Sequence, residues 1–412
     1  MIASLISSWR VTEAPGSQHS ADQAQDSTQP EGRLHIASVQ TSGERGGAEY
    51  ANVELLNAFR GRGLDARLVS DQPGLVIGTD VPVTEIDLGP KIKRSTWRRL
   101  AINCPLLVWR LARALAREGR DDPIDVLLLH FKKEQLISAL LPRRLTGVVV
   151  WAEWGPLPTP LTRGPARWLY VTAARRARMI AAVSESTRES LISAGVPAAK
   201  VVVIHNIVDA EEVTFDEQAR DRYRREWGFR DDTFVIGCVS RLNSSKRNDV
   251  IVDSMSYLAE DVVLVFAGEG DDEEALRAQA AAHGDRVRFL PTPRGYVQDV
   301  LSACDLVAFA PQPIEGAPRS IIFGQLTERP VVATGPEGAR DMIPPDTGTI
   351  LASPHDPKAL AACIEAYKED PERRAQEGHA GRVLAQARYD RRAVVDEWVR
   401  HIRAVVRTSA PA

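Results

Sequence analysis

The chain has 412 residues, 44% hydrophobic and 26% charged, with a formal net charge of −3 from 52 Lys and Arg against 55 Asp and Glu. That length implies two or three domains, and that composition a globular protein, which excludes fibrous, coiled-coil and wholly disordered chains. A general nucleic-acid binder would carry a strong basic excess, so no nucleic-acid partner is expected.

Residues 1–8 hold a short apolar patch without a basic lead-in or cleavage site, so they do not read as a signal peptide. Residues 12–32 are almost without apolar side chains, and the first 32 residues read as a disordered tail. Residues 34–39 read as the first strand. A Gly-rich stretch over 42–47 follows, and then Ala48, Ala51, Leu55, Leu56 and Phe59 repeat at helical spacing. Further buried strands read over 66–69, 125–129, 148–151, 179–184 and 201–204, with a helix over 185–193.

A polar stretch over 209–232 reads as a linker containing a helix. A second series has strands over 234–239, 262–267, 287–290, 306–310 and 331–334. Helices read over 371–382 and 390–406, the last with Val394, Val395, Trp398 and Ile402 on one face. Strands apolar throughout, alternating with helices, imply parallel sheets covered on both faces. The expectation is an α/β protein of two doubly wound, Rossmann-like domains, 33–208 and 233–385, with a C-terminal segment over 386–412. Ligands belong in the cleft at the carboxyl ends of the strands.

Cys104, Cys238, Cys304 and Cys363 stand far apart, with no pair at zinc spacing. That usage suits a reducing cytoplasm, with no metal site expected. No run approaches eighteen apolar residues, so no membrane-spanning helix is expected.

Two stretches carry chemistry. Arg241 and Lys246 lie five apart in a loop after the strand over 234–239, where a guanidinium fork and a point charge suit a diphosphate, or else form a solvated basic loop. After the strand over 306–310 comes Glu315-Gly316-Ala317-Pro318-Arg319-Ser320, with Pro318 suited to a helix start. A helix N-terminus after such a turn suits an anion, and Glu315 suits sugar hydroxyls or a capping role.

These stretches, with GGAE (46–49), AVSES (182–186), VIHNIVD (203–209), AGEG (267–270), VRFL (287–290), SACDLVAFAPQPIEG (302–316) and PVVATGPEGARDMI (330–343), resemble the retaining glycosyltransferases of GT-B fold, family 4 type, in the family's order. The resemblance covers about 33–406 and implies two Rossmann-like domains facing a central cleft, with the last helix crossing back to the N-terminal domain. It implies sugar transfer from a UDP- or GDP-sugar by front-face attack, without a cofactor or metal, to a small-molecule, lipid or glycan acceptor. It assigns Arg241 and Lys246 to the diphosphate and Glu315 to the donor sugar. Gly316 and the amides of Ala317, Arg319 and Ser320 fall to the phosphate turn, and Gly46 and Gly47 to the facing loop. Two rivals remain: a non-catalytic GT-B subunit, or a GT-B enzyme of another reaction such as nucleotide-sugar epimerisation or phosphorolysis.

Two positions depart from the family. Phe323 stands where the resemblance places a ribose-binding acid, with Glu328 five residues on. Trp154 stands where many relatives place a His over the reacting sugar. Beside it, Glu153 is the nearest acid that could act on the acceptor, or else it orders the loop. Lys132, Lys133 and Glu134 follow the strand over 125–129 and read either as acceptor contacts or as a charged helix start. His130 ends that strand and reads as structural or catalytic, while His205 reads as structural. Finally, residues 91–120 hold nine Lys and Arg with interleaved Trp and Leu. They read as a helix packing its apolar face inward, or as a peripheral contact with an anionic inner membrane face.

Overall fold

The computed structural model describes residues 33–41, 46–90, 96–290, 297–312, 315–335, 337–353 and 355–409. The tail expected over 1–32 lies outside them.

The first sheet is built from β1 (His35–Gln40), β2 (Asp65–Ser70), β3 (Val83–Glu85), β4 (Val126–Leu129), β5 (Val148–Glu153), β6 (Met179–Ala182) and β7 (Val201–Val203), in the order β3-β2-β1-β4-β5-β6-β7. The second contains β8 (Phe234–Val239), β9 (Val262–Ala267), β10 (Val287–Leu290), β11 (Leu306–Phe309), β12 (Val331–Thr334) and β13 (Gly348–Leu351), in the order β10-β9-β8-β11-β12-β13. Every strand pairing is parallel.

Alternation along the strands fills a core on each face. In the first sheet Val39, Leu127, Leu129 and Trp151 belong to one cluster, while Ile36, Val126, Leu128 and Val150 belong to the other. Parallel strands need helical crossovers on both faces, which is why both residue sets are apolar. In each sheet the order reverses beside the first strand of the series, β1 or β8. There the loops at the carboxyl ends diverge and leave a crevice.

The last helix, Arg391–Arg407, opens on the Asp390 side chain, which accepts from the Ala393 amide at 2.9 Å. Its Val394, Val395, Trp398 and Ile402 enter the core of the first sheet, and Trp398 meets Phe59 edge-to-face at 6.3 Å. Burial of four such side chains, at about 1.5–3 kcal/mol each, fastens the C-terminal segment to the N-terminal half. The crossing-back helix is therefore present as expected.

The strands β3 and β13 are additions to the sequence reading. Both lie at sheet edges and are three or four residues long and largely half-buried, so neither forms an apolar run. Among the described residues no helix is long and apolar enough to cross a membrane.

Candidate active site in the interdomain cleft

On the C-terminal side, the loop after β8 is a rigid platform. Asn248, buried at the start of helix Asn248–Ser254, accepts from the Ser240 hydroxyl at 3.2 Å and donates to the Arg241 carbonyl at 3.4 Å. Arg247 adopts a left-handed φ of 48°, unusual for a side chain with a Cβ, and its guanidinium clamps Asp249. Gly268, after β9, lies so close that a Cβ would stand 1.9 Å from the Ser240 carbonyl oxygen. Only glycine allows the two loops to stack this way.

From this platform Lys246 Nζ reaches Glu315 Oε1 at 2.6 Å, with both side chains mostly buried. Lys246 also lies over the Phe309 ring, 5.5 Å from its centroid. Helix Arg319–Leu326 begins just beyond, with Pro318 as its N-cap. Its first amides have no acceptor within the helix and face outward from its N-terminus. Arg241, Lys246, Glu315 and this turn are thus gathered at the carboxyl ends of β8 and β11.

Across the cleft, Gly46 caps helix Gly47–Gly61. A methyl on Gly46 would stand 3.8 Å from Arg241 Nε, and one on Gly47 3.6 Å from Arg319 Cδ. The two glycines therefore face the cationic side. Three of the contacts between the halves lie at the cleft. Arg319 Nη2 donates to both oxygens of Glu54 at 2.8 and 2.9 Å. Asn206 Nδ2 donates to the Ala317 carbonyl at 2.7 Å. Gly316 lies against Trp154 and Gly155 so tightly that a Cβ would stand 2.4 Å from the Trp154 carbonyl oxygen. Asn206 and Glu54 were not expected at the cleft. Asn206 lies in the VIHNIVD motif and had that signal, whereas Glu54 is one of many helix-surface carboxylates.

Phe323 is half-buried, with the Arg319 guanidinium 5.2 Å from its ring centroid. It lines a cavity of about 150 Å³ together with Glu54, Asn57, Asp209 and Arg391. Glu328 lies beyond the C-terminus of helix Arg319–Leu326, 3.7 Å from Arg382 Nε.

The N-terminal side corrects several expectations. Lys133 and Glu134 are not acceptor contacts but interior groups. Lys133 Nζ donates to the carbonyls of Thr41, at 3.0 Å, and of Gly89. Glu134 Oε1 accepts from the Thr41 amide and hydroxyl, both at 2.6 Å, and burial pushes its carboxyl up from the usual range. Both side chains lash down the end of β1, because that strand's last polar groups have no sheet partner there. Lys132 and Glu153 pair with each other, and Glu153 Oε1 accepts from the Tyr170 hydroxyl at 2.7 Å. Burial pulls the Lys132 ammonium down against the opposing pull of Glu153, and pushes the Tyr170 phenol up. With 3% exposure and its oxygens held by Lys132 and Tyr170, Glu153 orders the interior.

Trp154 keeps its place at the cleft. Its Nε1 donates to His130 Nδ1 at 3.2 Å, and the two rings stack at 5.8 Å. His130 Nε2 meets the Ser38 hydroxyl at 2.8 Å, Ser38 donates to Asn52 at 3.2 Å, and Asn52 donates to Gln40 at 2.8 Å. Burial pulls His130 down to about 3, so the ring is neutral and accepts from the indole. His130 is thus a structural relay, one of the two readings left open for it. His205 lies edge-to-face with Tyr389 at 5.8 Å, as a structural residue would.

The model of "Glycosyl transferases group 1" matches residues 219–383, and that of "Glycosyltransferase Family 4" matches residues 45–212. A GDP-mannose-dependent monoacylated alpha-(1-6)-phosphatidylinositol monomannoside mannosyltransferase of Corynebacterium glutamicum is 32% identical over 40% of this chain and 46% of its own length. A 2-deoxystreptamine glucosyltransferase of Streptomyces kanamyceticus is 26% identical over 68% of this chain and 75% of its own. The chain spans about half the length of the first curated relatives it matches. Among solved structures, Anabaena Alr3699/HepE in complex with UDP-glucose superposes with a TM-score of 0.78 at 22% identity, covering 90% of this chain and 100% of that one.

Proposed function

This chain belongs to the glycosyltransferases of group 1, of GT-B fold and family 4 type, and on that premise we propose that it moves a glycosyl group from a UDP- or GDP-sugar to an acceptor with retention of configuration. The observation that carries the reading is the cluster of Arg241, Lys246, Glu315 and the amides opening helix Arg319–Leu326 at one end of the second sheet. Three kinds of donor converge where a diphosphate would lie, and an acid suited to sugar hydroxyls stands beside them.

The proposed chemistry follows from that arrangement. A diphosphate draws Lys246 away from Glu315, which is then free to accept from hydroxyls of the donor sugar. As the glycosidic bond breaks, charge grows on the leaving phosphate, and Arg241, Lys246 and the helix amides stabilise it from fixed positions. The departing phosphate oxygen takes the acceptor's proton on the same face. The burial of Glu153 behind Lys132 and Tyr170 supports this route over one with that acid as nucleophile. The two cations serve in place of a divalent metal. Phe323 meets the ribose side of the nucleoside with an apolar face where relatives use an acid, and Trp154 brings an indole in place of a polar ring.

Incubation with UDP- and GDP-sugars, scored by the anomeric configuration of the product or of slowly hydrolysed sugar, tests the proposal. Donor turnover with retention, unchanged by EDTA, is expected. Inversion, or a loss of turnover restored by magnesium or manganese, would contradict it.

A further inference from the structure

The amide of Arg319 opens the phosphate turn, but its side chain has so far had no part in the site. That side chain leaves the first residue of helix Arg319–Leu326 and crosses to the other half of the molecule. Its Cγ and Cδ lie 3.9 and 3.6 Å from where a methyl on Gly47 would stand, at the first residue of helix Gly47–Gly61. Its Nη2 then donates to both oxygens of Glu54, two turns further along that helix. The Arg319 side chain is therefore strung across the gap between the N-termini of the two helices.

Arg241 reaches the same gap. Its Nε lies 3.8 Å from where a methyl on Gly46 would stand, so Arg241 and Arg319 meet two neighbouring residues, whose Cα atoms are about 3.8 Å apart. Three carboxylates share this gap with the cations. Lys246 holds Glu315, Arg319 holds Glu54, and Glu49 Oε2 lies 3.1 Å from the same methyl position on Gly46.

The acids do not use up what Arg319 offers. Glu54 takes one nitrogen of the guanidinium, whereas Nε is buried without an acceptor. A buried N–H left in that condition is costly and calls for a partner. The pair is also lopsided, with the Arg319 side chain 13% exposed and that of Glu54 43%. Water can serve the spare lone pairs of the acid, but it does not reach the spare donor of the arginine.

We infer that the Arg319 guanidinium is a third phosphate-binding cation, whose Nε–H donates to an oxygen of the donor diphosphate while Nη2 keeps Glu54. The inference rests on the donor-site reading above and adds to it a side chain and its partner across the cleft. An amide and a charged N–H of one residue then fix the position of the anion as well as its charge. The Phe323 ring, 5.2 Å from the guanidinium carbon, supplies the wall behind it. Glu54 offsets the charge of Arg319, so the gain comes mainly from a directed donor. Because Glu54 belongs to the other half, the same side chain also links occupancy of the site to closure of the cleft.

Calorimetric titration of the full-length protein with UDP and with GDP tests this. Arg319→Ala and Glu54→Ala break the same ion pair between the halves, so their melting temperatures should fall by similar amounts. Only Arg319→Ala removes the proposed phosphate donor. It should weaken whichever nucleotide the unmodified protein binds by about tenfold. Glu54→Ala should leave that affinity within about threefold, since the contact it loses is a half-exposed ion pair. A loss in Glu54→Ala as large as that in Arg319→Ala would mean that only closure was disturbed. No loss in Arg319→Ala would mean that its side chain does not meet the anion. Either result overturns the inference and leaves the donor reading standing. Failure of the unmodified protein to bind UDP or GDP would overturn the donor reading, and this inference with it.

Discussion

The two faces of the cleft use charge in opposite ways. On the C-terminal face Arg241 and Lys246 project from a platform held by Asn248 and Gly268, and Lys246 pairs with Glu315 of the neighbouring loop. On the N-terminal face Lys132, Lys133, Glu134 and Glu153 occupy the corresponding place at strand ends, yet they turn inward to one another, to Tyr170 and to Thr41. The same residue types at the same kind of position thus turn toward the proposed donor site on one face and toward the fold on the other. What separates them is whether the backbone nearby is already satisfied. Asn248 completes the C-terminal loop, whereas the end of β1 is completed by the side chains of Lys133 and Glu134.

That contrast breaks first, and with the largest expected effect, at Glu153. Glu153→Ala leaves the half-buried Lys132 ammonium without its carboxylate partner, which should cost up to about 3–5 kcal/mol. Urea unfolding should show that loss, while turnover per folded molecule stays within a few-fold. A normally stable variant with turnover lost would place Glu153 in the chemistry and reverse the comparison.

On the opposite face the pattern should invert. Arg241→Ala and Lys246→Ala are each expected to lower kcat about a hundredfold, or about 3 kcal/mol of transition-state stabilisation, with little change in melting temperature. Near-normal rates in both variants would remove the C-terminal face from the reaction.

The seam between the faces gives a smaller effect. In Gly316→Ala the new methyl would stand 2.4 Å from the Trp154 carbonyl oxygen and 2.6 Å from Gly155 Cα. The halves must part slightly, and misplacement of this kind should lower kcat/KM roughly tenfold. Binding of the nucleoside diphosphate alone, read by calorimetry, should change little, because its contacts lie in one half. An unaffected kcat/KM would show that transfer does not require the halves this close.

The sequence makes one face far more legible than the other. The interior strands announce themselves by apolar runs, and the C-terminal site by residues that are near in sequence and end up near in space. Lys246 and Glu315 are exceptions to that nearness, but each follows a recognisable strand. The N-terminal side chains follow strands equally well, and nothing local distinguishes a lysine that reaches a ligand from one that reaches the Gly89 carbonyl. Burial of Lys133 is decided by carbonyls at Thr41 and Gly89, more than forty residues away. Glu54 is illegible for the same reason, since its partner Arg319 belongs to the other half. The edges β3 and β13 escape because a half-exposed strand of three or four residues has no pattern to read.

The smallest expected effect concerns the far ends of the two sheets, where the halves again differ in the ions they bury. At the start of β1, His35 Nδ1 donates to the Asp122 carbonyl at 2.9 Å, and Nε2 stands 3.7 Å from Glu118 Oε1, which also accepts from Arg67 at 3.2 Å. At the start of β11, Asp305 accepts from Arg220 at 2.9 Å and from Arg224 at 3.2 Å. Glu118 raises His35 from its ordinary 6.5, and His35 in turn lowers Glu118 from 4.5. Burial alone would raise Asp305, but the two arginines hold it below 3.8. A raised histidine contributes stability that is complete below pH 6.5 and lost as pH climbs through its folded value. A lowered carboxylate contributes stability that is complete above its unfolded value and lost as pH falls through the folded one. The N-terminal half should therefore be most stable between about pH 4.5 and 6.5 and weaken toward alkaline pH. The C-terminal half, with no histidine in its pair, should show no such alkaline loss. Hydrogen exchange of the β1 and β8 amides from pH 5 to pH 9, corrected for intrinsic rates, distinguishes the two. His35→Gln should abolish the difference, and a parallel loss of protection in both strands would locate the alkaline sensitivity elsewhere than at His35.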